Sequence, residues 1–512
     1  MDDIIILKSF IPEIFLSFSI LLQLVCNVRF INSVRFNFPI FDYELVSQTF
    51  FILSCLIFLY FNLKIEGVFL NFLFLNDEST KFSKILILLF SLLTLGVISK
   101  SFAVQNLNFF EFFIIFLLSL LSLLLIISAY DFISFYLLIE MQTLCFYILS
   151  TFKRSSVFST EAGLKYFISG SFISGFFLFG VSLLYGCLGT LNINNINLLL
   201  SFPINSIDID ISLRYIIDTS LIFILVTLLF KIGCAPFHFW SPDVYEGSPL
   251  SSTIIFSIIP KISVFYFFVK VICSLNFFFL DLQEVLLCFG LFSTFLGTFF
   301  ALSQTRLKRL VIYSSIAQIG FLVIALSINT LQSFTSMYFF LFIYLITSIL
   351  VWGHITAFYC FQSTIYLFYS RLSTSLFLSS LSNFFQLNNI WSFSFIVILF
   401  SIAGIPPLTG FLGKLMILLE LINSNFFISS IVLIIISSIS VFYYIKLMKL
   451  MFFEPKASNL NIEHFQIISS DLSMNFLYSV FVICLLFLIL TFFSPSGLYF
   501  LCHFIVLAST GC

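Results

Sequence analysis

Runs of about twenty predominantly apolar residues recur along the whole chain, each long enough to cross a hydrocarbon core about 30 Å thick. FEFFIIFLLSLLSLLLIIS at 110–128 is one of them. Scanning at that length predicts about fourteen membrane helices, at 11–27, 47–63, 84–100, 106–128, 131–151, 163–187, 216–236, 252–274, 282–303, 309–328, 333–361, 392–423 with a break, 427–452 and 475–494. The alternating segments of a membrane barrel are absent. The expected fold is an all-α polytopic membrane protein, discontinuous in its seventh and twelfth helices.

Of the 512 residues 61% are hydrophobic and 9% charged, outside the range of soluble domains, and a net charge of −1 leaves no electrostatic footprint for nucleic acid. Eleven cysteines are scattered without CxxC spacing, and no Gly-rich phosphate loop occurs. A metal, an iron–sulfur cluster and a nucleotide therefore have no motif to hold them. The 77 phenylalanines suggest T-rich codons of an organellar genome, and the acidic start MDDIIILKSF lacks the Arg-rich pattern of an imported precursor.

Loop charges segregate. Arg29, Arg35, Lys100, Lys153, Arg154, Arg306, Lys308, Arg309, Arg371, Lys446, Lys449 and Lys456 follow odd-numbered helices, whereas Asp2, Asp3, Asp131, Asp208, Asp210, Asp218, Asp281 and Glu284 fall on the other side. The positive-inside rule puts the odd loops in the matrix or cytoplasm and both termini opposite. The connections 188–215, with some amphipathic structure, and 362–391 carry no chemical motif.

Ionisable groups at membrane depth are costly, and helix-breaking backbone there is tolerated only inside protein or around a cavity. Lys231 precedes a break at Pro236 in FKIGCAPFHFW, and Lys414 follows one at Pro406 and Pro407 in IAGIPPLTGFLGK. That mirror order is expected of repeats with opposite orientation, and it marks a proton path. Glu140, central in FISFYLLIEMQTLCFYILS, is the natural partner of Lys231: its proton affinity depends on whether an ammonium is near. The bland alternative is a protonated glutamic acid clamping two helices. Lys261, just after Pro260, is placed to relay a proton from Lys231, while Lys270 reads as a snorkelling anchor. Lys231 and Lys414 could themselves be interfacial lysines. His354 is either a relay group or a hydrogen-bonded core residue. His238 adjoins the first break; His464 and His503 are peripheral.

The segments EMQTLCFYILS, FSTEAGLKYFISGSFISGFFLFGVSLLYG, FKIGCAPFHFWSPDVYEGSP, ALSQTRLKRLVIYSSIAQIGFLVIAL and AGIPPLTGFLGKLMIL resemble the NADH–ubiquinone oxidoreductase chain 2 family, antiporter-like membrane subunits of respiratory complex I. The likeness covers residues from about 130 to 425, and the length resembles bacterial, plant and algal forms. It implies two inverted five-helix repeats, 106–274 and 282–452, with Glu140, Lys231, Lys261 and Lys414 as the proton-translocating groups. It also implies that NADH, FMN, iron–sulfur clusters and ubiquinone bind other subunits of a mitochondrial inner-membrane complex. Neighbours would be chain 4L, chain 4, the lateral helix of chain 5 and membrane lipids. A subunit of a multisubunit sodium/proton exchanger, a plastid homologue working with ferredoxin, and a structural scaffold are the competing readings.

Overall fold

The computed structural model describes residues 9–31, 40–61, 66–105, 110–201, 211–274, 280–366, 377–382, 389–453 and 472–510. Asp2, Asp3, Arg35, Asp208, Asp210, Arg371, Lys456 and His464 lie outside them. The described elements are α1 (Ile11–Ile31), α2 (Ile40–Phe61), a hairpin of β1 (Gly67–Phe69) and β2 (Phe74–Asn76), α3 (Glu78–Gln105), α4 (Phe110–Ser128), α5 (Phe132–Ser150) and α6 (Val157–Leu188). There follow α7 (Ile193–Ser201), α8 (Ile211–Ile232), α9 (Trp240–Gly247), α10 (Leu250–Ser274), α11 (Leu280–Ser303), α12 (Leu307–Ile328) and α13 (Leu331–Tyr366). The chain ends in a 3₁₀ turn (Leu378–Leu381), α14 (Asn389–Ala403), α15 (Thr409–Asn423), α16 (Phe427–Phe452), α17 (Leu472–Phe493) and α18 (Pro495–Thr510).

Among the described residues ten helices are long and apolar enough to cross a membrane, or eleven if α17 and α18, bent by 94°, make one span. Three shorter apolar helices, Ile11–Asn27, Leu45–Tyr60 and Asn389–Ala403, accompany them. Burial sorts these helices into an axis and a rim. The α10 span is 94% buried and the α13 span 89%, against 39% for α16, whose Ile428, Ile431, Ile435 and Phe442 are exposed. Lipid solvates such a face as well as a protein core would, so the rim can stay apolar while polar groups gather around α10.

Helix packing uses small residues where backbones meet. A Cβ on Gly297 of α11 would lie 2.6 Å from the Ala317 nitrogen and 2.8 Å from the Tyr313 carbonyl oxygen of α12. Only glycine permits that approach, the usual device where dispersion rather than water exclusion drives association.

Several boundaries differ from expectation. Lys100 does not sit in a loop: α3 continues to Gln105 with Lys100 buried, because no Gly or Pro interrupts Lys100–Gln105 even though hydropathy falls there. The hairpin and α18 were not anticipated. In the connection 188–215, α7 supplies nine helical residues. At the hairpin end of the bundle, burial pushes the carboxyls of Asp77 and Asp131 above the usual range.

Candidate functional site

Two helix ends set the site, and they share one local construction. The Gly233 N–H donates to the carbonyls of Phe230 (3.0 Å) and Leu229 (3.1 Å), and the Cys234 N–H donates to Leu229 (3.0 Å). The Gly404 N–H donates to Ser401 (3.2 Å) and Phe400 (3.0 Å), and the Ile405 N–H donates to Phe400 (3.1 Å). Both are left-handed glycine caps, with φ of 84° at Gly233 and 81° at Gly404. A proline stands three residues beyond each glycine, at Pro236 and Pro407. The helices resume at Trp240 and Thr409.

Carbonyls freed inside a membrane need partners, and each break finds its own. At the first, the Trp240 indole N–H donates to Phe230 O at 3.0 Å. At the second, Lys414 Nζ donates to Ile402 O (3.0 Å) and Ala403 O (2.8 Å), 5.5 Å from the Phe321 ring centroid. The negative end of the α14 dipole thus holds a buried ammonium, 7% exposed. Lys414 is held inside the protein by backbone carbonyls.

Lys231 occupies the last turn of α8, and its Nζ is buried without a hydrogen-bond partner, as is Glu140 Oε1. The two interact electrostatically across a gap and do not form a contact ion pair. Beside them a cavity of about 20 Å³ is lined by Lys231, Lys261, Gln142, Thr143, Tyr166 and Tyr245, among others. Gln142 Oε1 also lacks a partner. Lys261, 4% exposed on α10, donates to the Tyr344 hydroxyl on α13, 4.5 Å from that ring centroid.

Tyr344 opens onto a second cavity of about 30 Å³, whose lining includes Ser257, Ser314, Ser315, Gln318, Thr347, Ser348, Tyr444 and Ile402. Ile402 is the residue whose carbonyl accepts from Lys414. A cavity needs about 10–15 Å³ to hold a water, so each can host one or more. The polar sequence therefore runs from Glu140 and Lys231 through Lys261 and Tyr344 to Lys414, bridging α5, α8, α10, α13, α14 and α15.

The histidines stand apart from both cavities. His354 is fully buried, with Nδ1 2.8 Å from Leu350 O and Nε2 2.8 Å from Ser394 Oγ, packed against Trp391 and Phe481. His238 is 3% exposed and its Nδ1 has no partner. Lys270 is not a snorkelling anchor: it is buried and donates to Ile127 O at 2.8 Å over the Tyr266 ring. The reading by sequence also missed a buried ion pair, Lys84 Nζ to Glu13 Oε1 at 2.6 Å, with Asn76 Oδ1 at 3.0 Å. Both charges lie at the ends of apolar runs, where scanning treats them as boundaries. Among the described residues no group of three His, Cys, Asp or Glu side chains could hold a metal ion.

Two interrupted helices, each with a lysine buried beside its break, inside an apolar bundle define an antiporter-like membrane protein. Residues 129–443 match the family described as NADH:quinone oxidoreductase/Mrp antiporter, TM. The NADH-ubiquinone oxidoreductase chain 2 of Oenothera berteroana is 35% identical, covering 86% of this chain and 88% of that protein. The chain 2 of Marchantia polymorpha is 34% identical over 96% of each. In fold, the chain is similar to one from respiratory complex I of Thermus thermophilus, solved with bound aureothin (TM-score 0.74, 23% identity, 95% and 98% covered). It is also similar to one from the Mrp complex of Dietzia sp. DQ12-45-1b (0.75, 17%, 98% and 97%). The chain belongs to the NADH:quinone oxidoreductase/Mrp antiporter membrane family, in its NADH-ubiquinone oxidoreductase chain 2 branch.

Proposed function

We propose that this chain is a proton-translocating subunit of respiratory complex I in the mitochondrial inner membrane. It would comprise fourteen membrane helices with inverted repeats at 106–274 and 282–452. The observation that carries the reading is that Lys231 and Lys261 line one small cavity, while Tyr344, bonded to Lys261, lines a second beside Ile402, whose carbonyl holds Lys414, in a chain that is 61% hydrophobic. A scaffold gains nothing from the desolvation cost of those groups.

In this reading each lysine holds a proton in one charge state and passes it on in the other. Lys231 answers to Glu140 across their gap, so a charge change at Glu140 alters the hold of Lys231 on its proton. Lys261 passes a proton along the Tyr344 hydroxyl, which donates and accepts in turn. Lys414 takes it where the α14 carbonyls favour a cation. Protons move from matrix to intermembrane space, driven by NADH oxidation and ubiquinone reduction on other subunits, where FMN and the iron–sulfur clusters bind. Chain 4L, chain 4 and the lateral helix of chain 5 are the neighbours.

A sodium/proton exchanger subunit fits the family match and the fold equally well. The relatives at 34–35% identity, named as chain 2, favour the respiratory reading. Isolation of the membrane complex containing this chain tests it: flavin and iron–sulfur subunits should co-purify, and a flavin-free complex with sodium-dependent proton exchange would overturn it.

A further inference from the structure

A second polar chamber lies outside the proton path, at the face where α3, α5, α9 and α11 end and α6, α10 and α12 begin. Its volume is about 340 Å³, within the range of small-molecule sites. Five cations and three carboxylates line it. Each carboxylate is already engaged: Glu246 by Arg306 and Arg309, Asp243 by Arg309 (3.2 Å) and Lys165 (2.9 Å), and Glu161 by Lys165 (2.8 Å). Lys153 and Lys308 are left over.

Lys308 is the telling group, because it is only 8% exposed yet has no hydrogen bond or ion pair among the described residues. Its Nζ lies 5.9 Å from the Tyr359 ring centroid, and the one carboxylate whose charge acts on it, Glu246, is already engaged by Arg306 and Arg309. Ser248, 2% exposed, and Gln105 line the same chamber, and their Oγ and Oε1 are buried without partners. A hydroxyl buried without a partner is costly, and a lysine shielded this far with no contact partner leaves its charge open to an anion.

We propose that this chamber binds the phosphate headgroup of an anionic phospholipid. Two surplus cations and a free hydroxyl suit a phosphate diester. The chamber's position at the helix ends is where lipid phosphates lie, since the hydrocarbon core stops there. An apolar groove of about 600 Å³ adjoins it, sharing Lys165 and Asp243, and runs past Ile168 and Phe172 to Phe237 at the first helix break. An acyl chain fits that groove. The proposal goes beyond the proton-path reading and stands or falls separately from it.

The test reads bound lipid, not pumping. The intact membrane complex would be titrated with phosphatidylglycerol and, separately, phosphatidylcholine, with retained lipid counted by native mass spectrometry. Lys153→Gln/Lys308→Gln should weaken phosphatidylglycerol binding about tenfold to a hundredfold, the effect of lost charge-assisted hydrogen bonds. Lys308→Arg should keep binding and serves as the folding control. Equal retention of phosphatidylcholine, or wild-type retention by the double variant, would overturn the site. Inorganic phosphate separates the sources of the anion: Ile168→Gln/Phe172→Gln should weaken lipid binding and spare phosphate. If that variant leaves lipid binding unchanged while phosphate displaces the lipid fully, the lipid assignment is wrong.

Discussion

Lys261 on α10 donates a hydrogen bond to Tyr344 on α13, and this contact joins the linings of the two small cavities inside the bundle. Removing the hydroxyl by Tyr344→Phe leaves a buried ammonium short of its partner, which costs about 1–3 kcal/mol. We expect the assembled complex to keep its composition but to pump fewer protons per NADH oxidised, measured in vesicles with a pH-sensitive dye. Unchanged stoichiometry would remove Tyr344 from the path.

The two glycine caps differ in what surrounds them, which gives a paired prediction. Alanine is disfavoured by about 1–2 kcal/mol in the left-handed conformation at either position. At Gly404 its Cβ would also lie 2.9 Å from Lys414 Cδ, whereas at Gly233 the nearest atom is 3.6 Å away. Gly404→Ala should therefore reduce pumping more than Gly233→Ala, because it displaces the lysine from the α14 carbonyls. Equal loss in both variants would show that only the cap conformation matters.

The breaks were legible because glycine and proline punctuate apolar runs, and Glu140, Lys231 and Lys414 were legible because charge is rare there. Tyr344 was not: a tyrosine suits an apolar helix, and it meets Lys261 from 83 residues away. The hydroxyls of the second cavity are equally silent in sequence. Ser314 and Thr347 satisfy themselves on Val311 O and Tyr344 O, as helix serines and threonines commonly do whatever they face. The wrong placements of Lys100 and Lys270 have a shared cause. Hydropathy marks where apolarity falls, but burial by neighbouring helices lets charged residues continue inside.

Glu13 and Lys84 join α1 to α3 in the interior, and breaking one partner of a buried pair costs about 3–5 kcal/mol. Lys84→Met should lower the yield and thermal stability of the assembled complex. Glu13→Leu/Lys84→Met should recover most of that loss, since no uncompensated charge remains. Failure of the double variant to recover, with expression matched, would assign the pair a role beyond packing.

The most direct measurement compares two activities of Lys231→Ala in reconstituted vesicles with assembly confirmed. The path requires that proton pumping and coupled NADH–quinone turnover both fall, while NADH oxidation by a hydrophilic acceptor stays near wild type, because in the proposed complex the flavin end would lie on other chains. Lys231→Arg should recover only part of the pumping, since a guanidinium keeps the charge but cannot release a proton at working pH. Wild-type pumping by the alanine variant would contradict the account.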